Sequence, residues 1–307
     1  MSNVDDIKKS GVAFTSWVAS KQHHIESTLE QCLPDANLAP CMLHSAMRYS
    51  VLKGGKRIRA LLCYAAAELS TYEPNVTDAS ACAIELIHAY SLVHDDMPCM
   101  DDDDMRRGKP SCHKQYDEAT ALLVGDALQS LAFEVISQSH NYVHSQLSAN
   151  QQMKLINLLS KAAGSKGMAG GQGIDLAAVG KELSQSELET MHRMKTGALI
   201  EASIMLGAVS AEKSSQEAIQ MFANKIGLAF QVVDDILDVE ANSKTLGKTA
   251  GKDAESNKPT YVSNLGLSAA KQHVQLLYDQ AIDAIRPLGD KANRLIELAG
   301  YIIQRNF

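Results

Sequence analysis

Two aspartate clusters, Asp95-Asp96-Met97-Pro98-Cys99-Met100-Asp101 and Asp234-Asp235-Ile236-Leu237-Asp238, each interrupt an apolar helical run. Ala89-Tyr90-Ser91-Leu92-Val93 leads into the first, and Phe230-Gln231-Val232-Val233 into the second. Carboxylates this dense are costly to bury among hydrophobic side chains unless cations neutralise them. Hard divalent ions with oxygen ligands, magnesium foremost, meet that demand. The chain is thus constrained to surround a polar, cation-lined site with apolar helices. Two such clusters facing each other would make a polynuclear magnesium site suited to diphosphate.

Helical periodicity runs from one end of the chain to the other. Residues 4–33 read as one amphipathic helix through Ile7, Val12, Phe14, Trp17, Val18, Ile25 and Leu29. Further helices are expected over 41–52, 59–69, 118–139, 151–163, 186–208, 216–239, 268–285 and 290–304. Asp78 is expected to cap a helix that runs through Asp96 until Pro98 stops it. The glycine-rich 164–180 reads as a loop or a tightly packed helix start, and polar 242–259 as a mobile loop or a candidate lid. No alternating strand pattern of useful length is present. The expectation is an all-α, single-domain bundle of about ten or more helices spanning 1–307.

Composition narrows the chemistry. Hydrophobic residues make up 45% and aromatics only 5%, a balance suited to closely packed helices. Lys and Arg total 29 against 36 acids, a net charge of -7, which argues against a nucleic-acid partner. Six cysteines (Cys32, Cys41, Cys63, Cys82, Cys99, Cys112) lack C-x-x-C spacing and read as small buried thiols in a reducing compartment. The N-terminus lacks signal-peptide regions, and no stretch approaches the roughly 20 apolar residues of a membrane span. A cytoplasmic protein without stable membrane insertion is expected.

The motifs themselves divide by charge. Asp234 and Asp238 are four apart and share a helix face with Gln231, while Asp235 turns about 100° away. Asp95 and Asp101 would lie about 120° apart on an ideal helix; Pro98 suggests a helix end there, so the chain can bulge and bring Asp101 back beside Asp95. Asp102, Asp103 and Asp104 extend the acidic run before Arg106-Arg107-Gly108 reverses it. Acids beside paired arginines suit one multiply charged anion, held through metal and by forked guanidinium bonds. Gly54-Gly55-Lys56-Arg57-Ile58-Arg59 offers backbone amides and cations to a phosphate. Lys195-Thr196 sets a cation in an apolar helix, where an anionic partner is expected. His88 lies two turns before Asp95; Lys248, Lys252 and Lys258 lie in the lid segment.

These motifs occur in the order seen in trans-isoprenyl diphosphate synthases, and nearly the whole chain resembles the bacterial short-chain branch that makes farnesyl diphosphate. Tyr301-Ile302-Ile303-Gln304-Arg305-Asn306 is similar to the end of that group. The resemblance implies a helical bundle around a deep central cavity, usually a homodimer. It implies that Asp95 and Asp101 hold two magnesium ions and Asp234 a third, with Asp96 and Asp238 completing the shell. Arg106, Lys195 and Lys258 would bind an allylic diphosphate (dimethylallyl or geranyl), with Lys248 closing over it. Lys56, Arg59, His88 and Arg107 would hold isopentenyl diphosphate, and Thr196 and Gln231 would shelter an allylic carbocation. Tyr90, with Ser91 beside it, would be the floor that stops the product at three isoprene units.

Other readings fit less well. A geranylgeranyl diphosphate synthase would use the same chemistry with a deeper stop. A terpene cyclase would not need the second basic set and carries a different second metal motif. His94-Asp95 resembles the doublet of helical phosphohydrolases, but the remaining histidines lie outside any matching cluster. A non-catalytic subunit would be expected to have lost an aspartate cluster, and both are intact.

Overall fold

The computed structural model describes residues 2–70, 74–138, 147–181, 183–244 and 260–304, the side chains of 2–11 and 241–244 excepted. Contacts group into two compact units, Met1–Ala67 with Tyr72–Ile156, and Glu68–Thr71 with Asn157–Phe307.

In the first unit, α1 (Ser2–Cys32), α2 (Cys41–Val51), α3 (Ile58–Ala67) and α4 (Pro74–Asp95) are followed by a hairpin, β1 (Met105–Arg106) and β2 (Lys109–Pro110). Then come α5 (Cys112–Gln115) and α6 (Glu118–Ser137), with α7 (Ala149–Ala163) next along the chain. Helix α3 is buried at nearly every position, and Leu61, Leu62 and Tyr64 pack in the core with Ile84, Leu86 and Ile87 of α4. Helix α4 lies along α6. Their approach is close at Gly125, where an added Cβ would fall 1.9 Å from His94 Nε2.

The second unit contains α8 (Met168–Ala178), α9 (Gln185–His192), a π-helical turn Arg193–Gly197, α10 (Ala198–Gly207) and α11 (Gln216–Lys244). It closes with α12 (Tyr261–Leu265), α13 (Leu267–Ile285), a 3-10 segment Arg286–Ala292 and α14 (Asn293–Ile303). Leu228, Ala229, Val232, Val233 and Ile236 form the buried face of α11 against α9, α12 and α13. Ser184 with Glu187, and Thr260 with Ser263, form reciprocal capping boxes that start α9 and α12.

The periodicity located the helices, and the structure corrects several details. Asp78 is not a cap: α4 starts at Pro74, whose missing N–H costs nothing in a first turn. The Asp78 carboxylate instead accepts from Tyr64 Oη at 2.7 Å and sits 2.9 Å from His24 Nε2. The expected 186–208 helix is interrupted by the π turn, and α11 continues to Lys244, into the expected lid. Two-residue strands escape a search for alternation. Cys41 and Cys99 are exposed, so burial holds for only part of the cysteine set. Helix α6 is long and apolar enough to cross a membrane by length and composition, contrary to expectation, and one side of it packs on α4. Lys248, Lys252, Lys258, Arg305 and Asn306 lie outside the described residues.

Gly125→Ala should destabilise the protein by about 1–3 kcal/mol, because the new methyl must displace His94 from the α4–α6 crossing. Equilibrium denaturation should show a lower midpoint at unchanged slope.

Candidate active site

Helix α4 ends at Asp95, and the chain folds back as a helix end at Pro98 allows. The Asp101 N–H donates to Asp95 O at 2.8 Å, and the Asp103 N–H to Asp96 O at 3.1 Å. Asp95 and Asp101 thus stand side by side and half-exposed, an all-oxygen donor set that suits a hard divalent ion. Asp96 points the other way: it is 2% exposed, and Arg106 Nε donates to it at 2.9 Å. A further Arg106–Asp96 contact and a 3.2 Å bond to Asp103 fix the same guanidinium.

Arg106 and Arg107 are placed by the hairpin. Arg107 and Gly108, at φ 53° and 76°, form its two-residue turn, the left-handed pair that matches strand twist. The Arg107 side chain lies over Gly54-Gly55, where a Cβ on Gly54 would come within 2.6 Å of Arg107 Nη1. The glycines therefore make room for a guanidinium as well as turning the chain. Arg57, read from sequence as one of three phosphate cations, is buried instead. It is paired with Glu26 at 2.8 Å and Glu85 at 3.0 Å, and it donates to Val51 O at 2.6 Å. Lys56 is left exposed and Arg59 half-buried on either side of it. Lys53, Arg57, Asp102 and Arg107 all hold positive φ, a concentration of strain typical of functional loops. Burial, then the Arg59 and Arg107 guanidiniums, hold the His88 imidazole well below the usual histidine range. It is neutral near pH 7.

Tyr90 is 8% exposed, its ring edge-on to His94 with centroids 5.8 Å apart, and burial raises its phenol. Ser91 Oγ donates to His88 O at 2.9 Å.

In the second unit Lys195 has the anionic partner its burial demanded. Its Nζ donates at 2.6 Å to Asp175, the one acid in the glycine-rich 164–180 stretch. Thr196 Oγ1 donates to Gln231 Oε1 at 2.8 Å across to α11. Gln231 Nε2 donates at 2.8 Å to Asp235, not to Asp234 with which the face argument had grouped it. Asp235 is 3% exposed, whereas Asp234 and Asp238 are half-buried on the outer side of α11. His192 sits 3.9 Å from Asp235 and stacks on Tyr261, which stacks in turn on His273.

Sequence reading gave no supporting role to Glu26, Glu85, Asp175 or Asp235. Two carried a signal: Asp175 as the lone acid in its segment, and Asp235 as the cluster acid turned about 100° from Asp234. It also left His113 apart from other ligand types, yet a ligand atom of His113 lies within 4.8 Å of those of Asp102 and Asp104. Lys114 already pairs with Asp104 at 2.9 Å.

The polyprenyl synthetase family model matches residues 40–293. Farnesyl diphosphate synthase of Escherichia coli is 44% identical, over 91% of this chain and 98% of its own. Geranylgeranyl pyrophosphate synthase 4 of Arabidopsis thaliana is 41% identical, over 95% and 78%. Among solved structures, the geranyltransferase of Legionella pneumophila superposes with a TM-score of 0.85 at 35% identity, covering 96% of this chain and 98% of that one.

Two measurements test the supports. Glu85→Gln should cost about 3 kcal/mol by leaving buried Arg57 short of a counter-charge, read as a lower denaturation midpoint. Burial lowers His192 to about 4 from 6.5, so the unfolded chain takes up its proton first as pH falls. Its contribution is therefore whole above pH 6.5 and lost progressively down to about pH 4, a loss of roughly 3 kcal/mol that His192→Gln should remove from the acid limb of a stability–pH curve.

The family match over most of the chain places this chain in the polyprenyl synthetase family.

Proposed function

We propose that the chain condenses isopentenyl diphosphate head-to-tail with dimethylallyl or geranyl diphosphate, giving farnesyl diphosphate and releasing diphosphate. The observation that carries this reading is the fold-back of Asp101 onto Asp95 beside the Arg106-Arg107 hairpin, with Arg107 lying over Gly54-Gly55. Metal-type carboxylates and phosphate-type cations thereby occupy neighbouring turns.

Asp95, Asp101, Asp234 and Asp238 would carry magnesium, three ions by the family pattern. Bound magnesium supplies charge neutralisation to the departing diphosphate. Asp96 acts through Arg106, which it holds toward the allylic diphosphate. Lys195 binds that diphosphate too, with Lys248 and Lys258. Lys56, Arg59 and Arg107 bind isopentenyl diphosphate, and neutral His88 adds a hydrogen bond rather than a charge. The allylic C–O bond breaks to a carbocation, and the isopentenyl double bond attacks it. A proton then leaves, taken by the released diphosphate. Thr196 and Gln231 turn oxygen dipoles to the cation, the electrostatic stabilisation on which such a step depends. Tyr90, nearly buried on the helix that carries Asp95, sets the farnesyl stop; this favours farnesyl over the geranylgeranyl product named for the plant relative.

We read 1–307 as one polyprenyl synthetase domain acting in the cytoplasm without nucleic acid. A homodimer is supported by α6, an apolar helix that leaves Leu122 49% and Leu123 54% exposed. Those side chains would be covered by a second copy.

The purified protein with magnesium, labelled isopentenyl diphosphate and each allylic starter should accumulate farnesol after phosphate removal from the two shorter starters, and should not extend farnesyl diphosphate. Asp95→Ala or Asp234→Ala should lower turnover at least about 100-fold with the circular dichroism spectrum unchanged; retained turnover would remove the metal assignment. Tyr90→Ala should lengthen the product, and an unchanged farnesyl product would remove the floor.

A further inference from the structure

The two ends of the Gln231 side chain differ, since its oxygen accepts hydrogen bonds and its nitrogen donates them. Thr196 Oγ1 donates to Gln231 Oε1, and Gln231 Nε2 donates to Asp235 Oδ1, both at 2.8 Å. The second oxygen, Asp235 Oδ2, accepts the backbone N–H of Tyr261 at 2.8 Å. An ionised carboxylate can only accept. Asp235 is 3% exposed, so water has little access to either oxygen. His192 Nε2, 3.9 Å away, is beyond hydrogen-bond reach and does not compete.

From this geometry we infer that Asp235 is a positioning residue: it fixes which end of the Gln231 amide is turned to Thr196. With the –NH2 committed to the carboxylate, the amide oxygen is the end left on the Thr196 side. The same carboxylate fastens α11 to the first residue of α12. The residue between two metal-type aspartates thus acts through an amide rather than through metal.

The kinetic consequence rests on the prenyl-transfer reading. A carbonyl dipole lowers the energy of a nearby carbocation and an –NH2 raises it. In Asp235→Asn the one remaining carbonyl oxygen stays with the Tyr261 N–H, and the new –NH2 faces Gln231, which must turn its amide over. Thr196 can then accept rather than donate, so the turned amide is itself satisfied.

Asp235→Asn should reduce kcat about tenfold or more while KM for both diphosphates changes less than about twofold. In a Gln231→Met background the same substitution should change kcat less than about twofold, because the group it acts through is gone. An unchanged kcat in folded Asp235→Asn would overturn the proposal, as would an equal loss in the Gln231→Met background. A direct readout needs no turnover and no variant of Asp235. In the parent protein the Gln231 side-chain amide resonances, identified by their loss in Gln231→Met, should include one proton shifted strongly downfield by the carboxylate. A pair at the free-amide position would overturn the proposal. Failure of the parent to condense its substrates would instead sink the prenyl-transfer reading and leave the amide measurement to decide orientation.

Discussion

A buried carboxylate behind a cation or an amide is the interaction on which the candidate site depends. Glu85 and Glu26 hold Arg57, Asp96 holds Arg106, Asp175 holds Lys195 and Asp235 holds Gln231. Each pair removes charge or dipole from water, which is costly unless the geometry is good. In return, Arg106, Lys195 and Gln231 are held in fixed orientations, as the proposed phosphate and carbocation contacts would require. Preorganised dipoles stabilise developing charge without further rearrangement. Of the four residues with left-handed backbones, Arg57 is held by its ion pairs with Glu26 and Glu85, so its strain belongs to the same design.

The arrangement also separates acids that look alike in sequence. Within each cluster, one aspartate is buried and bonded to protein, and its neighbours are left half-exposed. Asp96 and Asp235 are the buried ones. Adjacent residues on a helix point about 100° apart, so a doublet at a helix surface necessarily divides between the core and the site. A chemistry that needs carboxylates outside and support inside can be built from two consecutive residues.

Much of the helical layout was readable from periodicity, because a 3.6-residue repeat of apolar side chains reports burial directly. The boundaries that failed did so for local reasons. Asp78 looked like a cap, but Pro74 could open the helix four residues earlier and Asp78 then met Tyr64 and His24. The hairpin at Arg106-Arg107 was too short for any alternation, and only its left-handed turn makes it visible. The π turn at Lys195 leaves no mark on the sequence repeat, since one extra residue per turn is absorbed within a long apolar run.

The sequence by itself determined the chemistry on offer: two carboxylate clusters too dense for apolar helices without cations, basic motifs spaced for phosphate, and a lysine that needed an acid. It also left room for Asp101 to return to Asp95, since Pro98 stops the helix that would carry them apart. Only tertiary structure decided which acid serves which partner. Asp175 reaches Lys195 across 20 positions, and Glu85 reaches Arg57 across 28. Such pairings are set by how helices cross, which no local pattern encodes. That is why Arg57, one of three adjacent cations, became a structural post, and why Asp235 faces the protein interior while Asp234 and Asp238 stay half-buried on the outer side of α11.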